Sequence, residues 1–267
     1  MPHSYTAEMT KLVKRPAVWV VFALWLTLML SFSYVFPYVG YRSAGNAREA
    51  AGILARLLPS RLPGHAISGF PLWGGALIVV LGALCLGSEY GWGTVKTLLS
   101  FRPGRLTVYG SQIAALATAV AALVLAAFAL SGLSSILIAG SAGASITGPG
   151  PLDLVQSMAA GWLVLFMWCL FGVCLAVLFR GPALAIGLGL VWVLAVENLI
   201  RAVAPLIGVL STVEKVLPGA GATSLVAALG GGGAAVVGEG QALAVVALYL
   251  ALFGTAGAAV WLRRDVQ

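Results

Sequence analysis

Residues 107–130 of the chain read TVYGSQIAALATAVAALVLAAFAL. This stretch contains no charged side chain, and a helix needs about 20 predominantly apolar residues to cross the core of a bilayer. The uncharged sequence continues to Leu152, which is more than one crossing requires. A cluster of glycine, serine and proline from Gly140 to Pro151 predicts a turn within that excess. We therefore expect one transmembrane helix over about 107–130, or a longer tilted one, and another soon after the turn.

The rest of the chain has the same character. Apolar residues make up 61% and charged residues only 9% of the 267 residues, and the mean hydropathy is +1.03. A soluble domain carries about 25% charged residues. The sequence therefore predicts an all-α polytopic membrane protein with a single transmembrane domain over 1–267. Its six predicted spans cover about 17–38, 67–87, 107–130, 154–179, 183–199 and 241–262.

The basic residues predict which side of the membrane holds the termini. Six spans place both termini on one side, and nine of the 15 Lys and Arg residues fall there, mostly at span ends. The positive-inside rule makes that side cytoplasmic. The scattered bases form no stripe of the kind that binds nucleic acid. The nine residues are Lys11, Lys14, Arg15, Lys96, Arg102, Arg105, Arg180, Arg263 and Arg264.

The segment before the first span, residues 1–16, has helical periodicity. Tyr5, Met9 and Leu12 recur on one face, whereas Glu8 and Lys11 fall on the others. This pattern is typical of an amphipathic helix that lies in the membrane interface. A polar cap that only anchors the first span is an equally open alternative.

The connector between the second and third spans, residues 89–105, reads EYGWGTVKTLLSFRPGR. Val95, Leu98 and Leu99 lie at helical spacing, so a short helix here presents an apolar stripe. Pro103 ends that helix before the third span begins. An apolar stripe in a loop needs a surface to pack on, which is either the lipid headgroup region or a soluble partner.

The same connector resembles the signature of a known family, the ABC-2 type permeases. The shared pattern is an acid, a Gly-Thr pair, a base, paired leucines and a Pro-x-Arg. The residues that carry it are Glu89, Gly93, Thr94, Lys96, Leu98, Leu99, Pro103 and Arg105. The opening Glu8-Met9-Thr10-Lys11-Leu12 and the six-span layout with a large external segment, 201–240, are similar to that family as well.

The resemblance implies a permease subunit of an ATP-binding cassette exporter in the cytoplasmic membrane of a prokaryote. In that family the N-terminal helix and the loop helix, called the coupling helix, rest on a separate ATPase subunit, and two six-span halves pair as a dimer. By position, Glu8, Lys11 and the eight connector residues would lie at or near the ATPase contact.

The chain is expected to bind no cofactor itself. It contains no GxxxxGK[ST] phosphate loop. ATP and Mg²⁺ are therefore expected on the partner subunit. An amphipathic or hydrophobic cargo, such as a drug, a peptide or a lipid, fits spans that hold few charges.

Glu197 and Asn198 close the fifth predicted span. Because a carboxylate at mid-membrane costs about 2.5–3.5 kcal/mol, we expect Glu197 near the outer end. It either forms an outer gate of the pathway together with Asn198 or makes an interfacial ion pair with Arg201. For the segment 201–240 the resemblance implies short re-entrant helices that form an exit gate, and a solvated linker is the alternative.

Two other classes of function stay open. An intramembrane enzyme would use Glu197 or Asp153 as an acid or base. An ATP-independent carrier or a scaffold would call for several buried charges or an internal repeat. The histidines and cysteines have no catalytic or ligand spacing, so we expect no catalytic residue and no metal site.

Overall fold

The computed structural model describes residues 2–91 and 104–263. Every regular element within these two ranges is helical. Six of the helices are long and apolar enough to cross a membrane. The predicted all-α class and the number of spans are confirmed.

The helices are numbered in chain order. The six candidate spans are α2 (Pro16–Arg42), α4 (Pro59–Tyr90), α5 (Arg105–Ser141), α6 (Pro151–Phe179), α7 (Pro182–Leu206) and α10 (Glu239–Arg263). The shorter helices are α1 (Pro2–Lys14), α3 (Ala47–Leu57), α8 (Gly208–Glu214) and α9 (Pro218–Ala228).

The third span helix, α5, explains the overlong uncharged run. At about 1.5 Å per residue it is about 55 Å long, whereas the hydrocarbon core is about 30 Å thick. The sequence predicts a span over about 107–130 or a longer tilted helix. The helix itself runs on to Ser141, just before Gly143 adopts a left-handed φ of 63°. The extra length belongs to one helix that extends beyond the hydrocarbon.

Three of the span helices contain a π-helical turn. These turns lie at Ser31–Val35, Phe70–Gly74 and Trp192–Val196. In the second of them Gly74 donates its amide to the Gly69 carbonyl, a bond that passes over Pro71. A π turn shifts the helical register and is often found at functional sites. The third turn immediately precedes Glu197.

The core of the bundle is built around α6. Its middle contains fully buried residues such as Trp168 and Cys169. Helices α4 and α6 approach through glycines, since a Cβ on Gly82 would lie 2.2 Å from the Cys169 carbonyl oxygen and one on Gly172 would lie 2.2 Å from the Val79 carbonyl oxygen. Small residues let membrane helices come this close. Helices α7 and α10 expose most of their apolar length.

The predicted segment 201–240 folds back into the bundle. Helix α9 packs against α6 and α10, and most of its residues are buried. After the glycine run, the Ser224 hydroxyl accepts hydrogen bonds from the amides of Val236 and Val237, at 2.9 and 3.3 Å. This segment is therefore a helix followed by irregular chain that returns along it.

The two ends of the bundle differ in what covers them. Helix α1 lies at the end where α4 finishes and α5 begins, which we call the α1 end. The connections that contain α3 and α8 lie at the opposite end.

The glycine contacts predict unequal effects of adding one methyl group. Gly82→Ala and Gly172→Ala should each destabilise the protein by about 1–3 kcal/mol, because the new Cβ meets backbone that cannot move aside. Gly187→Ala, at an open position on α7, is the matched control and should change stability by less than about 0.5 kcal/mol. Thermal unfolding in detergent measures both, and equal effects at all three positions would contradict the packing.

Candidate functional site

Helix α1 lies along the first half of α5. The Tyr5 hydroxyl is 3.0 Å from the Thr118 hydroxyl, and Leu12 is buried. Tyr5 and Met9 pack partly against the core, as the amphipathic pattern predicts, whereas Val13 remains 55% exposed. The acidic Glu8 also faces the bundle and is buried. The buried face of α1 therefore carries a charge as well as apolar groups.

Lys11 joins α1 to the end of α4. Its ammonium nitrogen lies 2.7 Å from Glu8 Oε1 and 2.9 Å from Glu89 Oε1. The Glu89 side chain is only 3% exposed, whereas that of Lys11 is 34% exposed. One cation thus bridges a carboxylate on its own helix and a buried carboxylate on the second span.

Arg15 and Gln112 complete the surroundings of Glu89. The Arg15 guanidinium Nη2 lies 3.5 Å from Glu89 Oε1, and its Nη1 donates to the Cys85 carbonyl at 2.8 Å. Gln112 Nε2 on α5 donates to Glu89 Oε2 at 2.7 Å. We call Glu8, Lys11, Arg15, Glu89 and Gln112 the Glu89 cluster. It ties α1, α4 and α5 together at one point.

The charges of the cluster balance. Two carboxylates meet two cations, and a buried carboxylate is tolerated only when it is paired and hydrogen-bonded. Burial raises the pKa of the Glu8 carboxyl above its usual 4.5, and the bond from Lys11 offsets part of that rise. Burial by itself would lower the pKa of Lys11, but the hydrogen bonds to Glu8 and Glu89 outweigh it and the pKa rises. Lys11 is therefore charged at neutral pH.

The structure brings together three residues of the predicted ATPase-coupling set, namely Glu8, Lys11 and Glu89. Arg105 lies elsewhere: its guanidinium Nη1 is 3.4 Å from the Leu262 carbonyl oxygen, and its own carbonyl accepts from Trp261 Nε1 at 3.2 Å. It connects α5 to α10. The other predicted residues lie outside the described ranges: Gly93, Thr94, Lys96, Leu98, Leu99 and Pro103.

Sequence reasoning did not include Arg15 and Gln112 in the site. A signal existed for Gln112, which is the one amide side chain in the predicted span 107–130. Polar side chains inside a span usually face the bundle and find a partner there. Arg15, with Pro16, belongs to the opening that resembles the family, but a base just before a span also fits a simple topology marker.

Glu197 lies at the opposite end of the bundle and is buried. Trp192 Nε1 donates to Glu197 Oε1 at 2.9 Å, and the Gly219 amide in the first turn of α9 donates to the same carboxylate. The first amides of a helix lack partners within the helix, and a carboxylate there is favoured. Glu197 therefore holds the start of α9.

The residues beside Glu197 make contacts of their own. Asn198 Nδ2 donates to the carbonyls of Val193 and Leu194 at 3.3 and 3.1 Å. Arg201 pairs with Glu214 at 3.9 Å, and it donates to Asn198 Oδ1 at 3.5 Å. The carboxylate closest to Arg201 in this structure is thus on α8.

Asp153 is exposed in the first turn of α6. Within residues 2–91 and 104–263, no three His, Cys, Asp or Glu side chains lie close enough to hold a metal ion.

Comparison with known proteins bears on the α1 end. A family model described as ABC-2 family transporter protein matches residues 5–196. The match contains the whole Glu89 cluster and stops one residue before Glu197. No curated protein matches the sequence.

The raised pKa of Glu8 predicts a pH-dependent stability. A carboxyl whose pKa is higher in the folded state contributes most below its usual pKa of 4.5, and it loses this contribution as the pH rises through the folded value. Glu8→Gln has no such titration. The difference in thermal stability between wild type and Glu8→Gln should therefore shift against the wild type as the pH rises from 4.5 to neutral. A difference that is constant with pH would contradict the buried position of Glu8.

The contact of Glu197 with α9 predicts a coupled pair of substitutions. A Cβ on Gly219 would lie 1.6 Å from Glu197 Oε2, so Gly219→Ala should displace the carboxylate and destabilise the protein. Glu197→Ala removes the obstructing group, so the double variant should lose less stability than the sum of the two single variants. Gly208→Ala, at an open position, is the control. Additive losses in thermal unfolding would show that the two residues do not touch.

Proposed function

This chain belongs to the ABC-2 transporter family, and we propose that it is the permease subunit of an ATP-driven exporter. The observation that carries the proposal is the Glu89 cluster at the α1 end, within the region that matches the family. The family consists of transport subunits, so a separate subunit is proposed to bind ATP and Mg²⁺ and to hydrolyse the nucleotide. Family membership supports this proposal over an intramembrane enzyme or an ATP-independent carrier.

The Glu89 cluster suits the passage of movement from an ATPase into the spans. The connector that carries the family signature begins at Glu89, at the end of α4, and Gln112 lies about two turns after the start of α5 at Arg105. Short charge-assisted bonds join Glu89 to Lys11 on α1 and to Gln112 on α5, and such bonds are stronger than neutral hydrogen bonds. A movement of the connector or of α1 is therefore passed to Glu89 and its neighbours. We propose that α1, α4 and α5 move as one unit when the ATPase subunits close.

The α1 end is proposed to face the cytoplasm. Lys11, Arg15 and the basic ends of α5 and α10 lie there, as the positive-inside rule requires. Helix α1 contacts α5 through Tyr5 and Thr118, and the Glu89 cluster that holds α1 includes Gln112 of α5. If α1 lies in the membrane interface, the first two turns of α5 extend about 10 Å into the cytoplasm. The part of α5 from Thr118 to Ser141, about 35 Å long, then spans the hydrocarbon.

A dimer is proposed because one six-span chain provides only part of a pathway. Helices α7 and α10 expose apolar surface that lipid or a second copy of the chain can cover. Few charged groups lie within the spans. An amphipathic or hydrophobic cargo, such as a drug, a peptide or a lipid, is therefore proposed, in the cytoplasmic membrane of a prokaryote.

Glu197 and the re-entrant helix α9 are proposed to form the outer gate. Helix α9 is buried between α6 and α10, and Glu197 holds its first turn. Asn198 is proposed to be part of the same gate, because it lies beside the π turn of α7 and donates to two backbone carbonyls there. A rotation of α7 would carry both side chains and release α9.

Exchange of charges in the Glu89 cluster tests the coupling role. Lys11→Glu places three carboxylates together and should separate α1 from α4 by repulsion. ATP hydrolysis by the assembled complex should continue, whereas the ATP-dependent change at the opposite end should be lost. Addition of Glu89→Lys restores opposite charges and should restore the change. Lys215→Glu, at the opposite end, is the matched control.

The change at the opposite end is measured by labelling a thiol on α9. Thr223→Cys, in a chain whose three cysteines are replaced by alanine, reports the accessibility of α9 with and without ATP. Normal ATP-dependent labelling in Lys11→Glu would remove Lys11 from the coupling role. Lys96→Glu in the connector should give the same loss as Lys11→Glu. A tagged chain that purifies without any ATPase, and that supports no vanadate-sensitive hydrolysis with an added candidate, would contradict the exporter itself.

A further inference from the structure

A cavity of about 840 Å³ opens at the end of the bundle opposite α1. Its walls come from the end of α2, from α3, from the start of α4 and from the glycine run at 230–233. Volumes of about 300–1,000 Å³ are typical of sites for small molecules. The cavity is separate from the Glu89 cluster, and the coupling proposal does not use it.

Two arginines line one side of this cavity. Arg56 comes from the last turn of α3, and Arg61 lies in the first turn of α4. In the described part of the chain, neither guanidinium has a carboxylate within 4.0 Å. Glu49, the acid on α3, is bonded to Asn46 at the start of that helix and does not line the cavity. The cavity therefore carries two positive charges and no acid among its lining residues.

His65 adds a fixed polar group to the same wall. Its Nε2 lies 2.5 Å from the Ser33 carbonyl oxygen. A carbonyl oxygen only accepts, so Nε2 carries the hydrogen and Nδ1 is free to accept a proton or to bind a protonated ligand oxygen. The Tyr34 ring packs edge-on against the imidazole, with 5.1 Å between the ring centres. The imidazole is thus held in one orientation at the wall of the cavity.

Another part of the lining is bare backbone. Gly64 is pressed against Gly230, since a Cβ on Gly64 would lie 2.2 Å from the Gly230 carbonyl carbon. The amides of Gly230 and Gly231 donate to backbone carbonyls, whereas those of Gly232 and Gly233 meet no protein acceptor in the part of the chain that the structure describes. Gly232 and Gly233 have φ of 79° and 91°, which other residues adopt only with strain. Glycine here keeps the wall open and its amides accessible.

We propose that this cavity binds the phosphate group of an anionic ligand. Arginine guanidinium groups pair with phosphate oxygens through two parallel hydrogen bonds, and free backbone amides add further donors. The apolar side chains of Ile53 and Leu57 line the same cavity, so an acyl chain attached to the phosphate has a place beside it. The ligand is either a phospholipid headgroup or free phosphate, because both present the same chemistry.

Binding to the purified full chain in neutral detergent tests the site without any ATPase. The probes are dihexanoylphosphatidic acid, dihexanoylglycerol, which lacks the phosphate, and inorganic phosphate. Affinities are measured by calorimetric titration. We expect dihexanoylphosphatidic acid to bind and dihexanoylglycerol to bind at least about tenfold more weakly, because the charged contacts provide most of the affinity.

Variants of the two lining arginines decide whether binding occurs at this cavity. Arg56→Gln with Arg61→Gln should weaken binding by at least about tenfold. Arg42→Gln with Arg48→Gln removes two charges from the same connection outside the cavity, and it should change the affinity by less than about twofold. Each single variant, Arg56→Gln and Arg61→Gln, gives the same answer if the double variant does not fold.

The probes also separate the two sources of phosphate. Binding of dihexanoylphosphatidic acid alone assigns the site to a lipid headgroup, and binding of inorganic phosphate with equal affinity assigns it to free phosphate. Either result supports the site if the Arg56 and Arg61 variants lose the binding. The proposal is overturned if no phosphate-bearing probe binds, if dihexanoylglycerol binds equally well, or if both pairs of variants behave alike.

Discussion

The buried carboxylate of Glu89 is the constraint on which the organisation of the α1 end depends. A negative charge with 3% of its side chain exposed must be neutralised where it lies. Lys11 and Arg15 from the N-terminal segment do this, and Gln112 provides a further bond from α5. The need to compensate one acid therefore draws α1 against two spans. In the proposed transporter, the same bonds that seat α1 also carry its movement.

The opposite end of the bundle also contains a buried carboxylate that needs compensation, that of Glu197. Glu197 is compensated mainly by hydrogen-bond donors, from Trp192 and from the start of α9. Helix α9 begins at this carboxylate, and the residues of its first turn are buried as well. This arrangement suits a segment that must hold one position and also be released. A gate at this end and a coupling point at the other would be connected through α6, which packs against α4 and α10.

The sequence was sufficient for the features that composition and periodicity control. The six spans, the N-terminal helix and the family signature follow from apolar runs and short motifs. Composition left the end of α5 open between Leu130 and the turn predicted from Gly140, and the helix runs to Ser141 because no proline interrupts residues 131–141. The partners of Glu89 were not predictable from the sequence, because Lys11 and Arg15 lie more than 70 positions away from Glu89 in the chain. Arg105 was grouped with Glu89 by motif, but the helix carries its side chain toward α10.

In the proposed transport cycle, α1 and α5 move together. A short thiol crosslinker between Tyr5→Cys and Thr118→Cys, in a chain without its native cysteines, fixes the contact that the two side chains make at 3.0 Å. We expect the crosslinked complex to retain ATP-driven transport of its cargo, because the crosslink joins two helices, α1 and α5, that already move as one unit. The contrary result is a loss of transport on crosslinking, with ATP hydrolysis intact and with recovery on reduction. It would show that α1 must slide on α5 and would contradict the proposed joint movement of the two helices.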